Sequence, residues 1–153
     1  MAIKPQKTPY EWFGIGAILL ASILLLWPLF YRGFFVTDDG DWMIIRLSAF
    51  YQSLAEGQFP VRFLGRLYHN YGYPVANFLY PGFLYVGSFV RLFGFSYVDV
   101  INIVLSISVV GSAVVLYLTL RKKYQLLEAT KGAISFVLSP YVVFDLFKRG
   151  SVG

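Results

Sequence analysis

Three long apolar runs divide the chain, with a stretch of mixed character between the first two. Residues 13–31, FGIGAILLASILLLWPLFY, are 19 positions without a charge, preceded by Lys4 and Lys7 and edged by Trp12, Trp27 and Tyr31. A run of that length predicts a spanning helix with aromatic anchors at both interfaces. A cleaved leader would have an apolar core of about 7 to 15 residues and a small-residue end, whereas LFYRGF follows here, so the segment reads as an uncleaved anchor. Residues 100–120, VINIVLSISVVGSAVVLYLTL, form a second, unbroken run of 21 residues ending at Arg121, Lys122 and Lys123. Residues 132–147, GAISFVLSPYVVFDLF, form the third, with Pro140 and Asp145 inside it. At about 1.5 Å per residue this run reaches about 24 Å, short of a hydrocarbon core of about 30 Å unless Lys131 snorkels or the bilayer thins. In the second run, Ser108, Gly111 and Ser112 form a small-residue face suited to close helix packing.

Between these runs the period changes. From Asp41 to Glu56 the residues Met43, Ile44, Leu47, Phe50, Tyr51 and Leu54 recur at helical spacing, opposite Ser48, Gln52 and Glu56. The one-sided stripe predicts an amphipathic helix lying on the membrane surface, ended by Gly57. Residues 57–77 carry three Gly, two Pro and two Asn and predict a structured loop. Residues 78–93 are apolar but broken by Pro81, Gly82 and Gly87 and charged at Arg91, so they predict a segment dipping into or lying on the outer leaflet.

Composition agrees with lipid as the main solvent: 58% hydrophobic, 20% aromatic and 14% charged residues, with a mean hydropathy of +0.63. Cysteine is absent, which excludes disulfides, thiolate metal sites and a Cys nucleophile. The net charge of +5 would suggest nucleic acid, but the basic residues sit beside apolar segments, where they set membrane orientation instead. Lys4 and Lys7 predict a cytoplasmic tail over 1–12. The Arg121–Lys123 cluster and Lys131 predict a cytoplasmic turn over 121–131. The loop 33–98, with helix 41–56 and segment 78–93, then faces outward together with Asp38, Asp39 and Asp41. The expectation is an all-α integral membrane protein in a single membrane domain, with about three transmembrane helices at 13–31, 100–120 and 132–147 plus external juxtamembrane helices. No nucleic-acid partner is expected; membrane lipid is.

The loops carry recognisable words: DDGDW at 38–42, EGQFPVR at 56–62, NYGYPVANFLYPGFLYVG at 70–87 and SPYVVFDLFKRGSVG at 139–153. From about Phe34 onward the chain resembles the amino-terminal part of bacterial multi-pass membrane proteins often labelled 6-pyruvoyl-tetrahydropterin-synthase-related. These in turn resemble type C (GT-C) glycosyltransferases, which use polyprenyl-phosphate-linked sugars at the non-cytoplasmic face. The chain has Pro81–Gly82 where the family usually has two prolines, and Asp38–Asp39 where it often has His-Asp. The resemblance implies a protein of the bacterial inner (cytoplasmic) membrane, with a first span leading outward, a long external loop and two further spans. It also implies that this chain is the amino-terminal portion of a longer transferase, a fragment inactive alone.

For sugar transfer to a hydroxyl, a carboxylate takes the acceptor proton, a divalent cation assists in some type C enzymes, and Arg or Lys stabilises the departing phosphate. Carried over by motif, Asp39 and then Asp41 match the family's first-loop acid, and Arg62 and Arg149 are candidates for phosphate contact. Helix capping by Asp38 and Asp41 is the competing explanation of the acidic cluster. The Tyr-rich loop fits sugar stacking or an interfacial aromatic belt. His69, the single histidine, is a candidate base or ligand flanked by turn residues, and Asp145 is a candidate cavity residue with Lys148 and Arg149 as ready partners. Two other function classes fit the same pattern: a small non-catalytic membrane protein that binds lipid or assists assembly, and a transporter fragment with Pro28, Pro140 and Asn102 near the membrane.

Overall fold

The computed structural model describes residues 10–31 and 37–150. Lys4 and Lys7 of the expected tail, Arg32, and Ser151 to Gly153 of the fourth motif lie outside the described residues. The elements are helical throughout: α1 (Glu11–Leu26), a 3-10 turn (Trp27–Phe30), α2 (Gly40–Ala55), a 3-10 turn (Val75–Asn77), α3 (Gly82–Arg91), α4 (Tyr97–Leu120), α5 (Leu126–Val137), α6 (Pro140–Phe144) and a π-helical turn (Asp145–Arg149). Among the described residues the one extended pairing is an isolated antiparallel bridge between Leu64 and Tyr73. Three segments are long and apolar enough to cross a membrane: Glu11–Phe30, Tyr97–Leu120 and Leu126–Arg149. The protein is an all-α integral membrane protein.

Each span starts earlier than its apolar run, and before α4 and α5 polar residues supply the helix ends. Before α4, the Ser96 hydroxyl accepts from the Asp99 N–H at 3.1 Å and donates to Asp99 Oδ2 at 2.6 Å, closing a box over the first turn. Before α5, the Gln125 N–H donates to Glu128 Oε2 at 3.2 Å. That places residues 126–131, expected in a cytoplasmic turn, inside the helix. The third span thereby gains the length it lacked, 24 residues or about 36 Å. It is not one straight helix: Ser139 caps a restart at Pro140, accepting from the Val142 N–H at 3.3 Å, since proline cannot continue the hydrogen-bond ladder of α5. At the other extreme, α3 has 10 residues, about 15 Å, half a bilayer core.

The chain divides into two compact units. The first holds α1, residues 106–148 and the core Ile18, Ala113, Tyr117, Ala129, Ala133 and Val137. Alanines at 129 and 133, one turn apart, let α5 lie close along α1, the packing that substitutes for hydrophobic drive in lipid. The expected small-residue face is not used this way. A Cβ added at Gly111 would meet nothing within 4 Å, Ser112 is exposed, and Ala113 carries the contact instead.

Glu11 at the start of α1 pairs with Arg121 just past α4, so the two helices run antiparallel and α5 returns beside α1. Close approach here depends on Gly14. A Cβ at that position would lie 2.7 Å from the Tyr117 hydroxyl and 2.8 Å from Thr130 Oγ1. Gly14→Ala is expected to destabilise the protein by about 1 to 3 kcal/mol through overpacking, read as a lowered Tm in detergent micelles. An unchanged Tm would mean that this contact yields freely.

The second unit holds residues 37–105 with Arg149 and Gly150. The stripe of α2 has the expected spacing, but it does not face lipid: Met43, Leu47 and Phe50 are fully buried, packed with α3. Gly87 of α3 admits Leu47. The Tyr85 ring meets Phe50 edge-on at 4.8 Å, and its hydroxyl accepts from the Val61 N–H at 2.9 Å, tying the breaker-rich loop to the helix pair.

Candidate functional site

The acidic stretch before α2 is built around Thr37. Its hydroxyl accepts from the Gly40 N–H at 3.0 Å, so a threonine takes a free N–H at the helix start. Asp39 occupies the N-cap position with φ −115° and ψ −5°, and its carboxylate makes no capping hydrogen bond. Asp41 lies exposed in the first turn, where its charge favours the helix dipole. Capping therefore does not account for Asp39.

The Asp39 carboxylate faces a residue from the far end of the chain. Its backbone N–H donates to the Arg149 carbonyl at 3.0 Å, and Arg149 Nε stands 4.0 Å from Asp39 Oδ2, both side chains a little under half exposed. Gly150 makes this possible: its φ is +64°, and a Cβ there would overlap the Thr37 side chain. Two of the four sequence-predicted site residues, Asp39 and Arg149, are thus brought together. Asp41 is the second residue of the adjoining helix. Arg62 is exposed, is held by its own N–H donating to Gln58 Oε1 at 3.3 Å, and stands within ion-pair reach of no described carboxylate.

The arrangement can hold an anion against Arg149 while Asp39 accepts a proton from a group beside it, because a guanidinium and a carboxylate open to solvent on one edge exchange partners readily. Among the described residues no group of three His, Cys, Asp or Glu side chains is placed to hold a metal ion.

Sequence reasoning missed two clusters. One is the Glu11 carboxylate, which accepts from the Tyr117 hydroxyl at 3.0 Å and from Arg121 Nε at 3.0 Å and pairs with Arg121 Nη2. The hydrogen bond to Glu11, aided by its charge, pushes the Arg121 pKa above its ordinary value despite burial. The other is a groove of about 1110 Å³ in the second unit, lined by Trp42, Arg46, Arg66, Tyr68, His69 and Tyr73 among others. Its signal in the sequence is GRLYHNYGY at 65–73, where aromatics alternate with cations and turn residues. No family model matches this chain, and neither a curated protein nor a solved structure matches it. The functional reading accordingly rests on its own geometry and loop motifs.

Proposed function

We propose that this chain is the amino-terminal membrane portion of a GT-C-like glycosyltransferase of a bacterial cytoplasmic membrane, moving a sugar from a polyprenyl-phosphate donor to an acceptor hydroxyl at the non-cytoplasmic face. The observation that carries it is the Asp39–Arg149 pair, a general base beside a phosphate-binding cation. In the reaction, the acceptor O–H proton passes to the Asp39 carboxylate as the acceptor oxygen bonds the sugar's anomeric carbon. The bond from that carbon to the phosphate oxygen breaks, and its electron pair leaves with the phosphate, whose charge Arg149 stabilises. Asp41 assists as a second acid at the same helix end. The chain alone is inactive, because the remainder of the site lies in the longer protein.

Sidedness supports this reading. The Glu11–Arg121 pair joins the start of α1 to the end of α4, and the basic residues Lys122, Lys123 and Lys131 nearby in sequence favour a cytoplasmic side for that end. The connection carrying Asp39 begins at the opposite end of α1. The chain has no cysteine of its own, so Asp38→Cys and Lys122→Cys can each be probed with a membrane-impermeant maleimide on intact cells. Labelling at 38 and none at 122 until the cells are opened is expected, together with sugar transfer from a polyprenyl-phosphate donor by the full-length protein. Labelling at 122 alone, or no transfer, overturns the proposal.

A further inference from the structure

The groove in the second unit has no part in the chemistry above, and its construction is unusual. Tyr68, His69 and Asn70 are consecutive non-glycine residues with φ of 57°, 57° and 69°, a short left-handed turn. Hydrogen bonds fix it: the Tyr71 N–H donates to the Tyr68 carbonyl at 3.1 Å, the Gly72 N–H to the Leu67 carbonyl at 2.9 Å, and Leu64 and Tyr73 exchange a pair at 3.0 and 3.1 Å. Gly72, with φ +80°, admits the Phe63 ring where a Cβ would collide. A backbone so constrained is retained where it positions side chains, and here it sets Tyr68 and His69 into the groove wall.

Across from the turn, α2 contributes Trp42 and, one turn on, Arg46, whose guanidinium carbon lies 6.0 Å from the Trp42 ring centre. Arg66 completes the cationic side. Among the described residues neither Arg46, Arg66 nor His69 has a carboxylate within ion-pair distance, whereas Arg121 and Arg149 both have one. Two guanidiniums with unused donors in one concavity suit a phosphate group, whose oxygens accept paired N–H donors. The exposed Trp42, Tyr68 and Tyr73 rings suit the apolar or ring-bearing part attached to it. In chain order the groove belongs to the stretch joining two membrane spans.

The geometry points to a phosphate-binding groove formed by Arg46, Arg66 and His69, whose occupant is the phosphate headgroup of an anionic lipid or a free phosphate. The site stands independently of the transferase reading, and its test contains no sugar. The purified full chain in neutral detergent micelles is titrated with fluorescent phosphatidic acid, with phosphatidylcholine, and with inorganic phosphate as competitor. Saturable binding of phosphatidic acid and none of phosphatidylcholine is expected, and R46Q/R66Q should weaken it at least about tenfold. R46K/R66K, which keeps the charge but not the planar fork, should retain part of the binding and shows that the site folds. K122Q/K123Q, which removes the same charge elsewhere, should change it less than about twofold. Displacement by millimolar inorganic phosphate assigns a free phosphate, and resistance to it assigns the lipid headgroup; either supports the groove. Equal losses in R46Q/R66Q and K122Q/K123Q, or no saturable binding of either phosphate source, overturns it.

Discussion

Asp39→Asn in the full-length protein is expected to lower sugar transfer by about 10²- to 10⁴-fold, the range of a lost general base. The substitution suits the question because it removes charge and basicity and little else. The carboxylate takes no part in capping α2, and the backbone link from the Asp39 N–H to the Arg149 carbonyl survives it. The ion pair it weakens is half open to water at 4.0 Å, and such pairs contribute about 0 to 1 kcal/mol. The Tm should therefore move little while turnover collapses, and measuring both separates chemistry from folding. Asp41→Asn, two residues on and not paired with Arg149, should have the smaller effect. Unchanged turnover in Asp39→Asn would remove the proposed base.

Glu11→Ala is expected to cost about 1 to 3 kcal/mol of stability, because it takes charge-assisted hydrogen bonds away from a pair that is only partly open to water. The Arg121 side chain is 9% exposed and Glu11 31%, and Arg121 keeps its hydrogen bond to the Tyr124 carbonyl at 2.7 Å, so water replaces only part of what Glu11 provides. Three contacts are lost together: the two to Arg121 and the one to the Tyr117 hydroxyl, and Tyr117 itself lies in the core of the first unit. Arg121→Leu beside Glu11→Ala should recover much of the loss, because it removes the stranded charge. The double-mutant cycle by thermal unfolding in nanodiscs measures this coupling. A loss in Glu11→Ala below about 0.5 kcal/mol would show that the end of α4 is wetter than its burial indicates.

The spans were legible from uninterrupted apolar length, because lipid leaves the chain few other ways to cross. Their ends were not. Ser96 with Asp99, and Gln125 with Glu128, carry the capping signature, yet they sit outside the apolar runs, and hydropathy alone placed the helix starts too late. The α2 stripe was read with the right spacing and the wrong neighbour, since a face that packs on α3 has the same pattern as one that packs on lipid. Among candidate site residues, motif order picked out Asp39 and Arg149, but their meeting depends on Gly150 packing on Thr37, a contact between chain ends that no local spacing encodes. Arg121 was read only as an orientation charge. Its partner Glu11 lay just outside the expected span, where a lone acid carries no pattern.

The turn at residues 68–70 has one more consequence. Each non-glycine residue held there carries about 1 to 3 kcal/mol of conformational strain, whereas glycine would adopt those angles freely at about 0.4 to 1 kcal/mol of added chain entropy in the unfolded state. The sequence that would make this bend most durable is thus one without a phenol or an imidazole. By keeping Tyr68 and His69 the chain forgoes robustness at that corner. Selection for heat resistance alone would strip the bend bare.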